Sequence, residues 1–238
     1  AVTKDFGVFG TTNYEWGSNV IQVGLRFDTR NLTTDAQGIS GEEGSFEALK
    51  KSYTSWNASL GYKTNFSEVF VFRLNLASGF RAPNLAELSS NGVHEGTNRY
   101  EVGNANLKTE QNFQTDLNLE YKTDHLEFFV NGFYNHINDF IYINPTGESI
   151  DDNDVFNYIQ NNANLYGGEI GLHFHPHPLD WLHFETSFET VTGKKQNGDY
   201  LPLIPANNWN NTLRADLIDT NWLKEGFAGW INRAGGCI

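Results

Sequence analysis

Apolar and polar residues alternate along most of this chain, and a period of two fixes the kind of structure it can build. In VIQVGLRFD (20–28), Ile21, Val23, Leu25 and Phe27 share one face, while Gln22, Arg26 and Asp28 take the other. FQTDLNLEY (113–121) sets Phe113, Leu117, Leu119 and Tyr121 against Gln114, Asp116, Asn118 and Glu120. Equivalent apolar rows come from Trp56, Ala58, Leu60 and Tyr62; from Phe70, Phe72, Leu74 and Leu76; and from Tyr166, Ile170, Leu172 and Phe174. Leu182, Phe184 and Phe188, then Trp209, Leu213 and Leu217, continue the series. HLEFFVNGFYN (125–135) is less clean, with Phe129 and Phe133 on its otherwise polar side. The pattern predicts an all-β chain of about nine antiparallel strands, each roughly 9 to 14 residues long, far beyond the five or six usual in a sandwich.

Alternation alone does not say which face is buried, but the connections do discriminate. They run short near 17–19, long over 31–46, short at 64–67 and long at 81–108. Short follows at 123–124, long at 140–158, short at 175–180 and long at 194–206. Short turns at one end and long loops at the other are the habit of a transmembrane β-barrel, with turns at the periplasmic edge, apolar faces toward lipid and polar faces toward a wet lumen. Trp16, Tyr62, Tyr121, Trp181 and Trp209, at strand ends, suit an interfacial aromatic girdle. The competing readings are a secreted β-sandwich binding carbohydrate, with the same faces turned inward, and a small outer-membrane barrel or adhesin-like surface module. The barrel reading predicts a meandering, open, curved sheet with Leu119, Leu172 and Leu213 exposed on its outer face.

Composition removes other classes. A formal charge of -13 lacks the basic stripe that tracking a phosphate backbone needs, so no nucleic-acid partner is expected. A single cysteine excludes a disulfide framework and CxxC metal or redox motifs. No apolar run is long enough for a transmembrane helix. The opening AVTKDFGVFG alternates from the start with no signal-peptide pattern, as expected of a fragment.

The longest break in the rhythm, ASGFRAPNLAELSSNGVHEGTNRYEVGNANLKTE (77–110), carries the most specific residues. Phe80, Arg81, Ala82 and Pro83 close an ascending segment; Asn104, Ala105, Asn106 and Leu107, followed by Lys108 and Glu110, open the return. With the NANLYGGEIGL (162–172) and LPLIPANNWN (201–210) runs, these boxes resemble the C-terminal half of the barrel of TonB-dependent outer-membrane receptors, over roughly residues 5–228. In that family a GFRAP-like box ends a strand and an N-P-N-L-like box returns the chain to the membrane; here Ala105 replaces the proline. The resemblance implies a cell outer-membrane receptor that imports a metal ion or metal chelate (zinc, haem or siderophore-iron) without catalysing a reaction. Its partners would be the substrate, outer-membrane lipid and the TonB complex, the last through an N-terminal part not present here. Such receptors have about 22 strands around a plug, so residues 1–228 read as a partial barrel. Residues 229–238, where alternation is lost, read as an off-pattern tail.

Candidate chemistry is sparse. There is no nucleophile elbow, HExxH or phosphate loop, and no enzyme or bound cofactor is expected. The acidic run SIDDND (149–154) lacks the spacing of a calcium loop and reads as a solvated loop. In HFHPHP (173–178), His173 and His175 share a strand face and could reach one metal, but the prolines favour a structural turn. His125, His136 and His183 read as isolated strand residues. His94 differs, because the run Gly92 to Asn104 resembles the zinc-uptake branch, and haem receptors of the family carry an axial histidine in that interval. His94 is therefore the candidate metal ligand, with Glu95, Arg99, Tyr100 and Glu101 as candidate ligand-binding neighbours. The alternative is a solvated loop histidine.

Overall fold

The computed structural model describes residues 1–94, 96–216 and 226–236. Ten strands form one antiparallel meander: β1 (Val2–Trp16), β2 (Asn19–Thr34), β3 (Leu49–Asn65), β4 (Phe70–Arg81), β7 (Glu110–Lys122), β8 (Leu126–Ile150), β9 (Asn153–Phe174), β10 (Leu182–Lys195), β11 (Asn207–Asp216) and β12 (Phe227–Gly236). Between β4 and β7 lie a short helix, α1 (Leu85–Ser89), and two short strands, β5 (Asn91–His94) and β6 (Arg99–Val102). Each meander strand pairs with its neighbours in chain order, and the sheet does not close among the described residues.

The register aligns the apolar rows into one continuous band. Ile21 pairs with Tyr62, Val23 with Leu60, Leu25 with Ala58 and Phe27 with Trp56. The row continues through Leu74 and Leu117, then Leu119 and Val130, then Val130 and Ile170. It ends through Ile170 with Phe188, Phe184 with Leu213 and Leu213 with Trp230. Among the described residues no second sheet covers this band: Leu25 is 55% exposed, Trp56 63% and Leu213 45%. Leu119 and Leu172 are half-buried, shielded by in-plane neighbours such as Phe72 and Phe128 rather than by another layer. A band of this kind, with no apolar partner inside the protein, matches the lipid face of a barrel wall.

The opposite face is polar and cross-linked. Arg73 donates to Asn118 and Glu120, and Asn118 donates to Asn131. Phe129 and Phe133 on this face are opposite Gly171 and Gly167. The Phe129 ring lies where a Cβ of residue 171 would be, so it covers bare glycine backbone rather than breaking the pattern.

Three features differ from the sequence expectation. The 140–158 segment is not a loop. β8 and β9, 25 and 22 residues long in all, run on past their sheet neighbours as an arm closed by Asp151 and Asp152 with φ of 46° and 61°. Positive φ at both central residues is the hairpin geometry that Asp tolerates. An extended strand of 25 residues spans ~80 Å against a ~30 Å hydrocarbon core, so the arm stands far outside the bilayer. The 81–108 excursion holds α1 and the β5–β6 hairpin, and β6 pairs in parallel with β9 at Asp154 to Asn157. Finally, Gly229–Gly236, set apart in the sequence as a tail, form most of β12, paired along their length with β11 and exposed on both faces.

The buried apolar residues gather near the long-loop end. Leu32, Leu88, Leu107 and Ile141 form one cluster, with Leu49, Leu85 and Tyr158 against it; Tyr142, Ala163 and Leu201 form another. Leu32 lies on the same face of β2 as Arg26, Asp28 and Arg30. The 81–108 segment therefore folds over the outer end of the polar face rather than out into water.

Candidate functional site

One arginine organises the long-loop end. Arg81, the last residue of β4, gives Nε and Nη2 to the two carboxylate oxygens of Glu110, the first residue of β7, at 2.8 and 2.7 Å. Its Nη1 reaches both oxygens of Glu87 at 2.7 and 2.9 Å. Both glutamates are buried, and Glu110 also accepts the Ile141 amide from β8 at 2.6 Å. Glu87 sits in α1, where Asn84 caps the helix. Asn84 Oδ1 accepts the Glu87 N–H, and a Glu87 oxygen accepts the Asn84 N–H, each at 2.9 Å. This reciprocal capping box satisfies two helix-start donors that Leu85–Ser89 could not satisfy within one turn.

The remaining motif residues support the same junction. Pro83 is fully buried and Ala82 nearly so; Phe80 is half-buried at the end of β4. Asn104 receives the Asn106 N–H on its side chain, and its own amide donates to the Glu87 carbonyl. Ala105 occupies the turn between them, which closes with the Leu107 amide on the Asn104 carbonyl. Leu107 then enters the core beside Leu88. Gly103 is required for this packing: a Cβ there would lie 2.5 Å from the Ser89 nitrogen. The two boxes are thus the halves of one buried fastening, joined through Glu87 and Glu110. Sequence reading had named Arg81 but neither glutamate as its partner.

The β5–β6 hairpin rises from this fastening. The Asn91 side-chain amide donates to the Glu42 and Ser45 carbonyls, and the Val93 amide donates to Glu43 Oε1. The hairpin is thereby tied to the loop between β2 and β3. Tyr100 is buried, with its hydroxyl on Asn91 Oδ1 at 2.9 Å; burial first, then the charges of Glu43 and Asp151, raises its pKa above the ordinary phenol value. Glu101 is buried and accepts the Tyr158 hydroxyl at 2.8 Å. Tyr158 lies above the bilayer-spanning part of β9. Its own burial, reinforced by the Glu101 carboxylate, pushes its pKa up to about 12. Arg99 lies with its guanidinium 5.1 Å from the Phe156 ring centroid and 3.7 Å from Glu101.

His94 stands apart. It is exposed at the hairpin tip, where the Thr97 and Asn98 amides both donate to its carbonyl and Thr97 Oγ1 lies 3.4 Å from Nδ1. The structure thus builds Arg99, Tyr100 and Glu101 into the framework of the loop assembly, whereas the His94 side chain is exposed. Glu95 lies outside the described residues.

A second concentration of polar groups occupies the short-turn end. His125 Nδ1 lies 3.5 Å from His175 Nδ1, and His173 Nε2 lies 3.0 Å from His183 Nδ1. His125 and His183 are therefore not isolated, contrary to the sequence reading. The signal was obtainable only with the register, which sets Leu126 opposite Phe174 and so brings two turns 50 residues apart together. His136, by contrast, bonds Asn164 on the apolar-row side of β8.

Known proteins share this architecture. The barrel model of TonB-dependent receptors ("TonB dependent receptor-like, beta-barrel") matches residues 1–236. Among solved structures, the copper transporter OprC superposes with a TM-score of 0.78 at 19% identity, covering 91% of this chain and 33% of that one. The Serratia marcescens hemophore receptor HasR, solved with its hemophore HasA and heme, gives a TM-score of 0.74 at 13% identity over 98% of this chain and 44% of that one. The FrpB iron transporter from Neisseria meningitidis gives 0.67 at 16% over 97% and 32%. The present chain spans less than half the length of each of these structures. With its meander, its lipid-type band and its short-turn and long-loop ends in place, the chain belongs to the β-barrel family of TonB-dependent receptors, proteins of the outer membrane.

Proposed function

We propose that this chain is part of a receptor that imports a metal ion or metal chelate, and that its outer loop assembly contributes to substrate capture. The observation that carries this reading is the contrast at the β5–β6 hairpin. Its neighbours are fixed by buried bonds, while His94 is exposed at the tip of the hairpin at the long-loop end. A neutral imidazole is a good ligand for zinc and for haem iron alike, and zinc or haem is the substrate class the Gly92–Asn104 run resembles. The copper, iron and haem named for the similar structures belong to the same broad class. Uptake would be non-catalytic, powered by the TonB complex acting on a plug supplied by the rest of the receptor.

The test is made on the intact receptor in detergent. His94→Ala should weaken binding of the true substrate tenfold or more, because ~1.4 kcal/mol, a modest value for one metal–ligand contact, is a factor of ten in affinity. Folding should not change, since an exposed loop imidazole contributes little packing. Zinc and haem are titrated separately into both proteins, so the ligand that loses affinity names the class. Equal binding of both ligands by both proteins would remove His94 from the site and the metal assignment with it.

A further inference from the structure

The short-turn end of the sheet holds a set of groups that neither the fold nor substrate capture at the outer loops explains. Five of the seven histidines, His125, His173, His175, His177 and His183, meet there. They come from separate elements. His125 sits in the turn between β7 and β8, and His175, His177 and Asp180 in the turn between β9 and β10. The ligand atoms of His125, His177 and Asp180 all lie within 4.8 Å of one another. His125 Nδ1 is 3.4 Å from Asp180 Oδ1, and His177 Nδ1 is 3.3 Å from Asp180 Oδ2. His175 Nδ1, 3.5 Å from His125 Nδ1, stands at the edge of the same group.

We propose that His125, His177 and Asp180 form a binding site for a divalent transition-metal ion of zinc type at the short-turn rim, which in this family is the periplasmic mouth of the barrel. Tetrahedral zinc with bonds of ~2.0–2.1 Å sets its ligand atoms ~3.3–3.4 Å apart; each imidazole Nδ1 lies at about that distance from one Asp180 oxygen, and the three ligand atoms within 4.8 Å of one another need only a small side-chain adjustment to share one ion. Two imidazoles and one carboxylate give a three-ligand set with a fourth position for water or for His175. The group is held in advance of any ion. The His175 amide donates to the His125 carbonyl at 3.0 Å, tying the two turns together, and Pro176 and Pro178 restrict the backbone on either side of His177. Asp180 can accept from both imidazoles, one on each oxygen, but His125 Nδ1 cannot both donate to Asp180 and accept from His175 Nδ1, so hydrogen bonding leaves one of these contacts unsatisfied. Behind the rim, on the lumen face, the register aligns Glu127, His173 and Glu185 in one row. His183 beside them is held by Asp216 at 3.0 Å.

This site is independent of His94, and one experiment separates them. The intact receptor, purified in detergent and stripped with chelator, is titrated with Zn²⁺ alone by calorimetry. Wild type should show a zinc site that survives in His94→Ala, weakens at least tenfold in His177→Ala and in Asp180→Asn, and vanishes in the His125→Ala/His177→Ala double variant. Co²⁺ should show the strong visible absorption of a four-coordinate ion in wild type and lose it in the double variant. Because His177 and Asp180 are exposed, their replacement should leave the heat-modifiable migration of the folded barrel unchanged. Zinc affinity unaltered in these variants overturns the proposal. So does a site removed by His94→Ala alone, or by His173→Ala but not His177→Ala, and so does a wild-type receptor that takes up no zinc beyond the double variant.

Discussion

Arg81 shows how much one residue carries at the outer end of the wall. Its guanidinium joins the end of β4 to α1 and to the start of β7 through two buried carboxylates. Such a network contributes little over an apolar equivalent when whole, but removing one member leaves the charge of Glu87 and Glu110 uncompensated, at ~3–5 kcal/mol for a fully buried set and about half that here, because the Arg81 side chain is 42% exposed. Arg81→Ala should accordingly loosen residues 84–107 by about that amount while the barrel wall stays folded. The readout is hydrogen exchange in this segment against exchange in β3 and β4. Arg81→Lys should recover only part of the loss, because an ammonium cannot engage Glu110 through two parallel bonds and still reach Glu87. Equal protection of residues 84–107 in wild type and Arg81→Ala would show that the apolar cluster of Leu88 and Leu107 holds the segment unaided. The GFRAP-like and NANL boxes were legible in the sequence as markers. Their joint role was not, since the partners of Arg81 lie 6 and 29 residues away and belong to segments with no period to place them.

At the scale of the element, the faces of the spanning strands were legible and their outer continuations were not. Within the bilayer each residue meets either lipid or water, so a period of two survives in the sequence from Ile21 to Leu213. Above it the chain meets other loops. Phe140, Ile141 and Tyr142 follow one another, and the register shifts between Ile137 and Phe140, where Asp139 adopts a φ of 54°. Strand continues there without alternation, which is why 140–158 reads as a loop until the pairing is known. The spanning part makes a sharp prediction from adjacent residues. Leu74 lies in the apolar band between Tyr62 and Leu117; Asn75 points to the polar face and is exposed. Leu74→Lys places an ammonium in hydrocarbon, at ~2–4 kcal/mol near the midplane, whereas Asn75→Lys places one in the lumen at little cost. Urea unfolding of the receptor in lipid vesicles should lose that stability for Leu74→Lys alone. A reversed order would turn the sheet inside out.

Across the whole molecule, burial is distributed as a membrane wall requires and a soluble domain does not allow. The apolar clusters lie near the outer end, and the middle of the sheet has lipid and lumen as its neighbours instead of a second layer. Among the described residues of the chain taken by itself, β1 and β12 are edges that leave Val2, Phe6, Val8, Phe9, Tyr14, Phe227, Trp230 and Ile231 exposed. Unpaired backbone donors and acceptors beside apolar side chains are a template for pairing with further copies. The charge of -13 opposes this weakly, because the carboxylates project mainly from the polar face and the loops while the band of Leu25, Trp56 and Leu213 stays neutral. Expressed alone and refolded without detergent, this chain should scatter light as particles many times its 26.9 kDa, and detergent micelles should disperse them by covering the band. A detergent-free monomer of that mass, unfolding in one cooperative transition, would mean that the apolar rows find a partner within the chain, and the band would then be a core rather than a lipid face.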